Sequence, residues 1–403
     1  MTNAAELVDA GRAVDLLMSL LAVEGVTGRE AAIAAAVRSA LVAAGVPEGD
    51  IRFDDANTRI PMPTETGNLI ATLPGTRPGP GILFSCHLDT VPLCAGAKPV
   101  REGDRIVTDG STALGGDNRT GCAVLVTVAE TLIRHKLPHP PLTLLFTVRE
   151  ESGLHGAREL KRADLGDVAM CVNVDGQDPA DLIIGAVGQE NWEVEIVGKA
   201  SHAGVAPEKG ISATMVAALG LVEARKAGWF GKVETPRGFG SSNVGIFGGK
   251  GGAVPAGDAT NVVTDYAWLK GEARSPDAAF AKDIAAGYRA AFEKAGAEVR
   301  DSGGDTARVT FTEATAYPPF RLDENAAVIR RADRALGLLG IAPNHVFSNG
   351  GLDANWLDKA GIPTVTISAG QAEIHTVKEY VNIPEYVTGC RLAVLLATLD
   401  GEA

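Results

Sequence analysis

Cysteine is scarce in this sequence, with five residues among 403. They are widely spaced, mostly within apolar runs, and no Cys-x-x-Cys pair occurs, which excludes the usual thiolate metal sites. The positions are Cys86, Cys94, Cys122, Cys171 and Cys390. An odd number at such spacing also argues against a disulfide framework, so we expect reduced thiols in the core of a cytoplasmic protein.

Clusters of basic residues and long apolar runs are also missing. There are 37 Lys and Arg against 50 Asp and Glu, a net charge of -13, so a phosphate backbone or an anionic membrane surface would be repelled. No stretch approaches the roughly 18 to 20 consecutive apolar residues of a membrane span. At the start of the sequence, acidic residues lie among apolar residues at helical spacing, which favours an amphipathic helix over a signal peptide. The sequence predicts no nucleic-acid partner and no membrane partner.

Hydrophobic residues make up 45% of the chain and charged residues 22%, which is typical of globular domains with buried cores. Short apolar runs alternate with helical patterns up to about residue 187 and again after 319, which predicts an α/β domain with a mostly parallel sheet flanked by helices. Its strands are buried on both faces, as their near-continuous apolar character indicates. We expect strands at 81–86, 142–148, 169–174 and 363–368, and helices at 4–22, 29–45, 119–135, 323–339 and 384–399.

Residues 188–318 have a different pattern, with alternating strands and two helices. The expected order is strand, helix, strand, strand, helix, strand, which is that of a ferredoxin-like α+β unit. The strands are expected at 192–197, 243–248, 261–272 and 307–312, and the helices at 211–227 and 276–295. The sequence therefore predicts a domain of 188–318 inserted into a domain formed by 1–187 and 319–403.

Histidines and carboxylates follow the predicted strands of the first domain. They are His87 and Asp89, the pair Glu150 and Glu151, Asp175, Asp117 in a Gly-rich turn, and His375. A single residue of this kind is usually a hydrogen-bonded structural residue or a helix cap. Together, at the carboxyl ends of strands where functional groups gather, they would concentrate negative charge unless a cation neutralised it.

The donor set indicates the kind of cation. Imidazole and carboxylate without cysteine favour zinc, or manganese or cobalt, over calcium or magnesium alone. Three ligand carboxylates and two divalent ions would leave about one net positive charge, whereas a single ion would leave about one negative charge, so two ions are favoured. Such a pair can generate a hydroxide and stabilise the oxyanion formed when the hydroxide attacks a carbonyl.

Several motifs now identify a family. The segments SCHLDTVP, LGGDNRTG, REESG, NVDG, SHAG and EIHT, in this order along essentially the whole chain, resemble the M20 family of di-zinc metallopeptidases. The segment TDGSTALGGDNRTG and the ending IHTVKEYV resemble its peptidase T-like branch of tripeptide aminopeptidases. The resemblance implies metal-dependent hydrolysis of amide bonds in small peptides, with two Zn²⁺ per subunit, or Co²⁺ or Mn²⁺ in their place.

The resemblance also implies roles for single residues. One metal would be held by His87, Asp117 and Asp175, and the other by Asp117, Glu151 and His375, so that Asp117 bridges the two. Asp89 would orient the His87 imidazole, and Glu150 would be the general base for a bridging hydroxide that attacks the scissile carbonyl. A cis peptide bond is expected between Asp117 and Asn118.

In the inserted domain the resemblance implies that His202 stabilises the oxyanion, and that Arg274 and Asn261 bind substrate. A capping role for His202 and a surface salt bridge for Arg274 are the alternatives. The family further implies that this domain is a lid and pairs two subunits into a homodimer.

Two rival functions stay open. Asn118 stands where the tripeptidase branch commonly has a second acid, and HLDTVP is equally typical of carboxypeptidases and N-acyl amino-acid deacylases of the family. The second rival hypothesis is a non-catalytic, metal-dependent binding module, which would not need Glu150.

Overall fold

The structure, a computed structural model, describes residues 4–400. The outer limits expected for the first domain, 1 and 403, lie outside this range. The chain divides into two compact units, one ending at Ala186 and resuming at Arg321, the other formed by Val187–Phe320. Among the described residues, no helix has the length and apolar character needed to cross a bilayer.

The strands, in chain order, are β1 (Ile51–Phe53), β2 (Leu69–Leu73), β3 (Gly81–His87), β4 (Val100–Glu102), β5 (Arg105–Val107), β6 (Leu142–Thr147), β7 (Val168–Gly176), β8 (Asp181–Ala186), β9 (Gly188–Val197), β10 (Gly231–Thr235), β11 (Gly238–Gly248), β12 (Tyr266–Ser275), β13 (Arg308–Tyr317), β14 (Phe320–Arg321), β15 (Asn344–Ser348), β16 (Thr364–Ser368), β17 (Gln371–Ala372) and β18 (Tyr380–Asn382).

The α-helices are α1 (Ala10–Leu21), α2 (Ala31–Ala43), α3 (Gly116–His135), α4 (His155–Arg158), α5 (Ala213–Lys226), α6 (Ala278–Glu298), α7 (Ala327–Leu338), α8 (Ala354–Lys359) and α9 (Ile383–Thr398). Short 3-10 helices lie at Ala4–Leu7, Glu48–Asp50, Ala56–Thr58, Pro92–Cys94, Arg162–Leu165, Pro207–Lys209 and Lys250–Gly252.

A nine-stranded sheet forms the centre of the first unit, in the order β1-β2-β6-β3-β7-β16-β8-β14, with β15 beside β8. The central neighbours β6, β3, β7 and β16 are parallel, and every residue of β3 and β6 is buried. Cys86 of β3 contacts Cys122 of α3, whereas Leu83 of the same strand packs with Leu357 of α8. Because residues three apart in a strand point to opposite faces, helices cover both faces, and the predicted α/β fold is confirmed.

The second unit has a five-stranded antiparallel sheet in the order β10-β11-β12-β9-β13. Four of these strands, with α5 and α6, form the ferredoxin-like arrangement that the sequence predicts. Its core is aromatic, since Trp192 of β9 stacks on Tyr288 of α6 at 4.5 Å between ring centroids. The sequence did not predict β10, an edge strand in which only Val233 is buried.

Several boundaries differ from expectation, and the start of the first helix has an identifiable reason. The first helix begins at Ala10 rather than at residue 4, because the carboxylate of Asp9 accepts a hydrogen bond from the Arg12 amide and caps the helix there. The segment expected as a strand from 261 enters the sheet only at Tyr266.

A third, four-stranded sheet, β17-β18-β5-β4, was not predicted from the sequence. Its strands are only two or three residues long, too short to show a periodic pattern. It pairs Gln371 with Val381 across the loop that contains His375, and so fixes that loop at both ends.

Candidate metal centre

Three neighbouring parallel strands bring the first candidate ligands to one edge of the sheet. His87 is the last residue of β3, Asp175 lies one residue before the end of β7, and Glu150 and Glu151 follow β6. Because β6 and β7 both pair with β3 in parallel register, their carboxyl ends converge. This is the arrangement that the order of strands and polar residues predicted.

Asp117 reaches the same place from the start of α3. Asp117 and Asn118 have non-helical backbone angles, and the peptide bond between them is cis, as the family resemblance implied. The carboxylate of Glu379 holds this segment, because Oε2 accepts hydrogen bonds from the amides of Leu114 and Gly115 at 2.9 Å, and Oε1 accepts one from Asp117 at 3.0 Å.

The two oxygens of Asp117 face different histidines. Oδ1 lies 3.0 Å from His87 Nε2, and Oδ2 lies 3.3 Å from His375 Nε2. On the first side, Asp175 Oδ1 lies 3.6 Å from His87 Nε2. On the second side, Glu151 Oε1 lies 2.9 Å from His375 Nε2. The side chains therefore form two groups that share one carboxylate.

The donor atoms fit divalent cations. Single ligand atoms of His87, Asp117 and Glu151 all lie within 4.8 Å of one another, and nitrogen and oxygen donors of this kind suit zinc and related ions. His375 sits in a left-handed backbone conformation, with φ of 62°, and its side chain is about half exposed, at 48%. The site thus has an open side at His375 and a buried side at His87.

Asp89 connects the two halves of the site. The Nδ1 atom of His87 lies 3.0 Å from the backbone carbonyl of Asp89 and 3.5 Å from its carboxylate. The carboxylate itself accepts hydrogen bonds from the amides of Glu150 and Glu151, at 2.9 Å and 3.2 Å. Asp89 is completely buried. The distances show that its carbonyl makes the shorter contact with the imidazole, whereas its carboxylate holds the amides of Glu150 and Glu151.

The crowding of charge shifts the titration of these groups in the metal-free chain. Burial raises the pKa of Glu151 to about 7 and that of Asp175 to about 6. Burial also raises the pKa of Glu150 well above its ordinary value; His87 opposes this shift, and the charges of nearby carboxylates add to it. Such shifts are typical of functional sites.

The pKa values of the two histidines are also raised, which favours their charged form. Burial disfavours a charged imidazole, but the carboxylates of Asp117, Asp175 and Asp89 hold the pKa of His87 well above its ordinary range. Asp117 and Glu151 raise the pKa of His375 to about 10. Burial opposes ionisation of Asp117, yet His375 and His87 hold its pKa well below the ordinary value. Without a metal, protons on the imidazoles supply the positive charge.

Two further residues were missed by the sequence reasoning. Gln371 donates to Asp175 Oδ1 at 3.5 Å and accepts from Thr120 at 2.7 Å, so it braces a candidate ligand. Glu379, described above, braces another. Neither residue directly follows a predicted strand. Gln371 lies in β17 and Glu379 directly precedes β18, so the pairing of these two short strands brings both residues to the site.

The candidates in the inserted unit lie in two places. The amide of Ala203, next to His202, donates to the carbonyl of Asn261 at 2.8 Å, and His202 forms a bridge with Val262. The structure thus brings the His202 and Asn261 segments together. Arg274, on β12, makes a bidentate contact with Glu272, at 2.9 Å and 3.1 Å, which is the salt bridge considered as the alternative for this residue.

Comparison with known proteins agrees with this geometry. Residues 83–398 match the model of Peptidase family M20/M25/M40, and the chain belongs to this family. The uncharacterized protein YqjE of Bacillus subtilis (strain 168) is 32% identical over 391 residues, covering 97% of this chain and 98% of the relative.

Two solved structures resemble the chain over nearly its whole length. The aminopeptidase PepT from Bacillus cereus ATCC 10987 is 31% identical with a TM-score of 0.83, and the match covers 97% of this chain and 99% of that protein. A tripeptidase from Staphylococcus aureus subsp. aureus Mu50 is 28% identical with a TM-score of 0.86, covering 97% and 98%. These neighbours confirm the expected family and its tripeptidase-like branch.

The pKa shifts predict how metal binding depends on pH. Ligands bind a cation in their deprotonated form, and Glu151 and His375 titrate at about 7 and about 10 in the metal-free chain. Raising the pH from 6 to 8 should therefore strengthen binding of Zn²⁺ or Mn²⁺, by roughly tenfold per unit for each proton displaced. Calorimetric titrations in two buffers of different ionisation enthalpy would measure both the affinity and the proton release.

A suitable control for this titration is His345→Gln. His345 pairs with Asp333 at 2.8 Å and belongs to neither ligand group, so this variant should keep the same pH dependence, whereas His375→Gln should bind metal weakly at every pH. An affinity that does not change between pH 6 and 8 would contradict the assignment of these residues as ligands.

Proposed function

We propose that the protein is a dinuclear metal-dependent peptidase that removes amino-terminal residues from small peptides, and that its substrates are tripeptides with free termini. The observation that carries this proposal is the Asp117 carboxylate, whose two oxygens face His87 and His375 at 3.0 Å and 3.3 Å. Asp117 thus lies between two groups of side chains, each with an imidazole and a carboxylate. Such an arrangement suits a pair of divalent cations, which in two-metal sites are about 3.5 to 4 Å apart.

In this proposal His87, Asp117 and Asp175 hold one cation, and Asp117, Glu151 and His375 hold the other. Zn²⁺ fits the donors, and Co²⁺ or Mn²⁺ could replace it. When bound, the two cations would polarise the scissile carbonyl and make the attacking water more acidic. They would also neutralise the buried carboxylates, which otherwise depend on protonated histidines.

Glu150 is proposed as the general base. The residue is 9% exposed and adjoins the proposed ligand Glu151. Burial raises its pKa, which suits a group that accepts a proton near neutral pH. Its carboxylate would take the proton from the attacking water and deliver it to the nitrogen of the departing amine. Asp89 holds the amide of Glu150 at 2.9 Å and thereby fixes the backbone from which this carboxylate projects.

The inserted unit is proposed to supply the remaining contacts. His202 would stabilise the oxyanion, Asn261 would hydrogen-bond the substrate, and Arg274 would bind its terminal carboxylate. Because the Nε and Nη2 atoms of Arg274 already donate to Glu272, a substrate carboxylate would bind through Nη1 or displace Glu272.

Adjacent glutamates provide a sharp test of the general base. Glu150→Gln should retain both metal ions but lower kcat by about 10² to 10⁴, the usual contribution of a general base. Glu151→Gln, one residue later, should lose metal as well as turnover, because its oxygen lies in the ligand group with His375. Metal analysis of each purified variant, alongside steady-state kinetics, separates the two roles. Undiminished turnover in Glu150→Gln would remove the general-base assignment.

Substrate polarity is tested with one tripeptide in three forms: free, N-acetylated and C-amidated. The aminopeptidase proposal expects release of the first residue from the free peptide and little or no cleavage of the N-acetylated form. Mass spectrometry of the products identifies the bond that is cut. Cleavage of the N-acetylated peptide alone would instead favour the carboxypeptidase or deacylase reading, and metal binding without any hydrolysis would favour a binding module.

We further propose that the protein forms a homodimer through the inserted unit. Strand β11 exposes Phe239, Ile246 and Phe247, with 59%, 41% and 50% of their surfaces accessible, and exposed apolar groups of this size favour association. Light scattering of the purified protein should give twice the 41.6 kDa chain mass. A Phe247→Asp variant should shift this mass toward the monomer, whereas a monomeric wild-type protein would contradict the proposal.

A further inference from the structure

The turn that carries Glu150 and Glu151 is held by side chains rather than by the sheet. Beyond the end of β6, each amide from Val148 to Glu151 donates to a side-chain oxygen from another segment. The Val148 amide donates to Asn68 Oδ1 at 3.0 Å, and the Arg149 amide donates to Glu30 Oε1 at 3.2 Å. The amides of Glu150 and Glu151 donate to the two carboxylate oxygens of Asp89, at 2.9 Å and 3.2 Å. All three acceptor side chains are completely buried.

Glu30 is the unexpected member of this set. It precedes helix α2, yet its carboxylate makes no capping hydrogen bond to that helix. The amide of Ala31 instead donates to Glu65 Oε2 at 3.2 Å. The Oε1 atom of Glu30 accepts from Gly28 at 2.7 Å and from Arg149 at 3.2 Å. Its Oε2 atom is buried without a hydrogen-bond partner among the described residues. Burying a carboxylate in this way is unfavourable, and helix capping does not account for it.

Arg149 needs external support. Its φ of 53° is left-handed, a conformation that costs energy in a non-glycine residue and persists when the surroundings hold it. Its Nε donates to Thr64 Oγ1 at 2.7 Å, and Gly28 leaves room for the guanidinium, since a Cβ there would lie 2.2 Å from a guanidinium nitrogen. Two hydrogen bonds hold its backbone: the Arg149 carbonyl accepts one from the His155 amide at 3.1 Å, and the Arg149 amide donates one to Glu30, which of these two partners is the only side chain.

From these contacts we infer that Glu30 is a positioning residue: through the Arg149 amide, it sets the direction in which Glu150 and Glu151 leave the strand. The inference rests on the proposed function for its kinetic consequence, although its structural part does not. Displacing a catalytic group by about 1 Å can cost about 100-fold in rate, so a residue that touches neither substrate nor metal can still control turnover.

Three substitutions test the inference. Glu30→Ala removes the acceptor and should lower kcat by about 10- to 100-fold, with KM within about twofold of the wild-type value. Glu30→Gln keeps an oxygen at Oε1 and should stay within about threefold of the wild-type kcat, because an amide oxygen accepts the same hydrogen bonds. Glu65→Ala is the matched control, since it removes the cap of the same helix end without touching the turn, and should leave kcat unchanged.

The exchange rate of the backbone amides in the turn can be measured whether or not the variant is active. A peptide covering Val148–Glu151 should exchange faster in metal-loaded Glu30→Ala than in the wild type, and at the wild-type rate in Glu65→Ala. If Glu30→Ala fails to fold, Glu30→Asp replaces it, because the shorter side chain withdraws Oε1 from the Arg149 amide, and the same loss of kcat and faster exchange are expected.

The inference would be overturned by unchanged exchange of the turn in Glu30→Ala or Glu30→Asp, or by an equal loss of kcat in Glu65→Ala. If the wild-type protein hydrolyses no peptide, the proposed function fails, and the exchange of the turn alone decides whether Glu30 positions it.

Discussion

The structure depends on one electrostatic constraint: buried carboxylates have been brought to the carboxyl ends of parallel strands, where like charges repel and water cannot screen them. Asp117, Glu150, Glu151 and Asp175 all come close to His87 or His375. Protonated imidazoles relieve the repulsion in the metal-free chain, and divalent cations would relieve it more completely. Sheet order, the turn after β6 and the start of α3 all serve to keep these groups together against their repulsion.

A second layer of side chains makes that concentration possible. Asp89, Glu379 and Gln371 hold amides or carboxylates of the candidate ligands, and each is buried. Orienting partners of this kind usually matter nearly as much to a metal site as the ligands themselves. Because Asp89 and Glu379 act on backbone amides, these two fix the direction of a turn, whereas Gln371 holds a single side chain.

Much of the fold and of the site was predictable from the sequence. The apolar runs that became β3, β6, β7 and β16 are buried on both faces, so they stand out without an alignment. The ligand candidates were predictable because each follows such a run or a Gly-rich turn. The order of elements in the inserted unit was predictable from the change between alternating and helical periodicity.

The rest was hidden for physical reasons. Strand β10 buries only Val233, and the strands around His375 are too short for any periodicity. Asp9 sets the start of α1 because its side chain caps the helix there, which periodicity alone does not reveal. Glu30, Glu379 and Gln371 contact residues that lie more than a hundred positions away in the chain, and no local pattern encodes such pairings.

The division of the first unit has a consequence for synthesis of the chain. His375, Gln371 and Glu379 all lie beyond the inserted unit, which ends at Phe320, whereas His87, Asp117 and Glu151 precede it. On the ribosome, where domains emerge and fold from the amino terminus, the inserted unit is complete before the site can be. The nascent protein therefore cannot bring both groups of candidate ligands together until the segment that carries His375 has followed the inserted unit out of the ribosome.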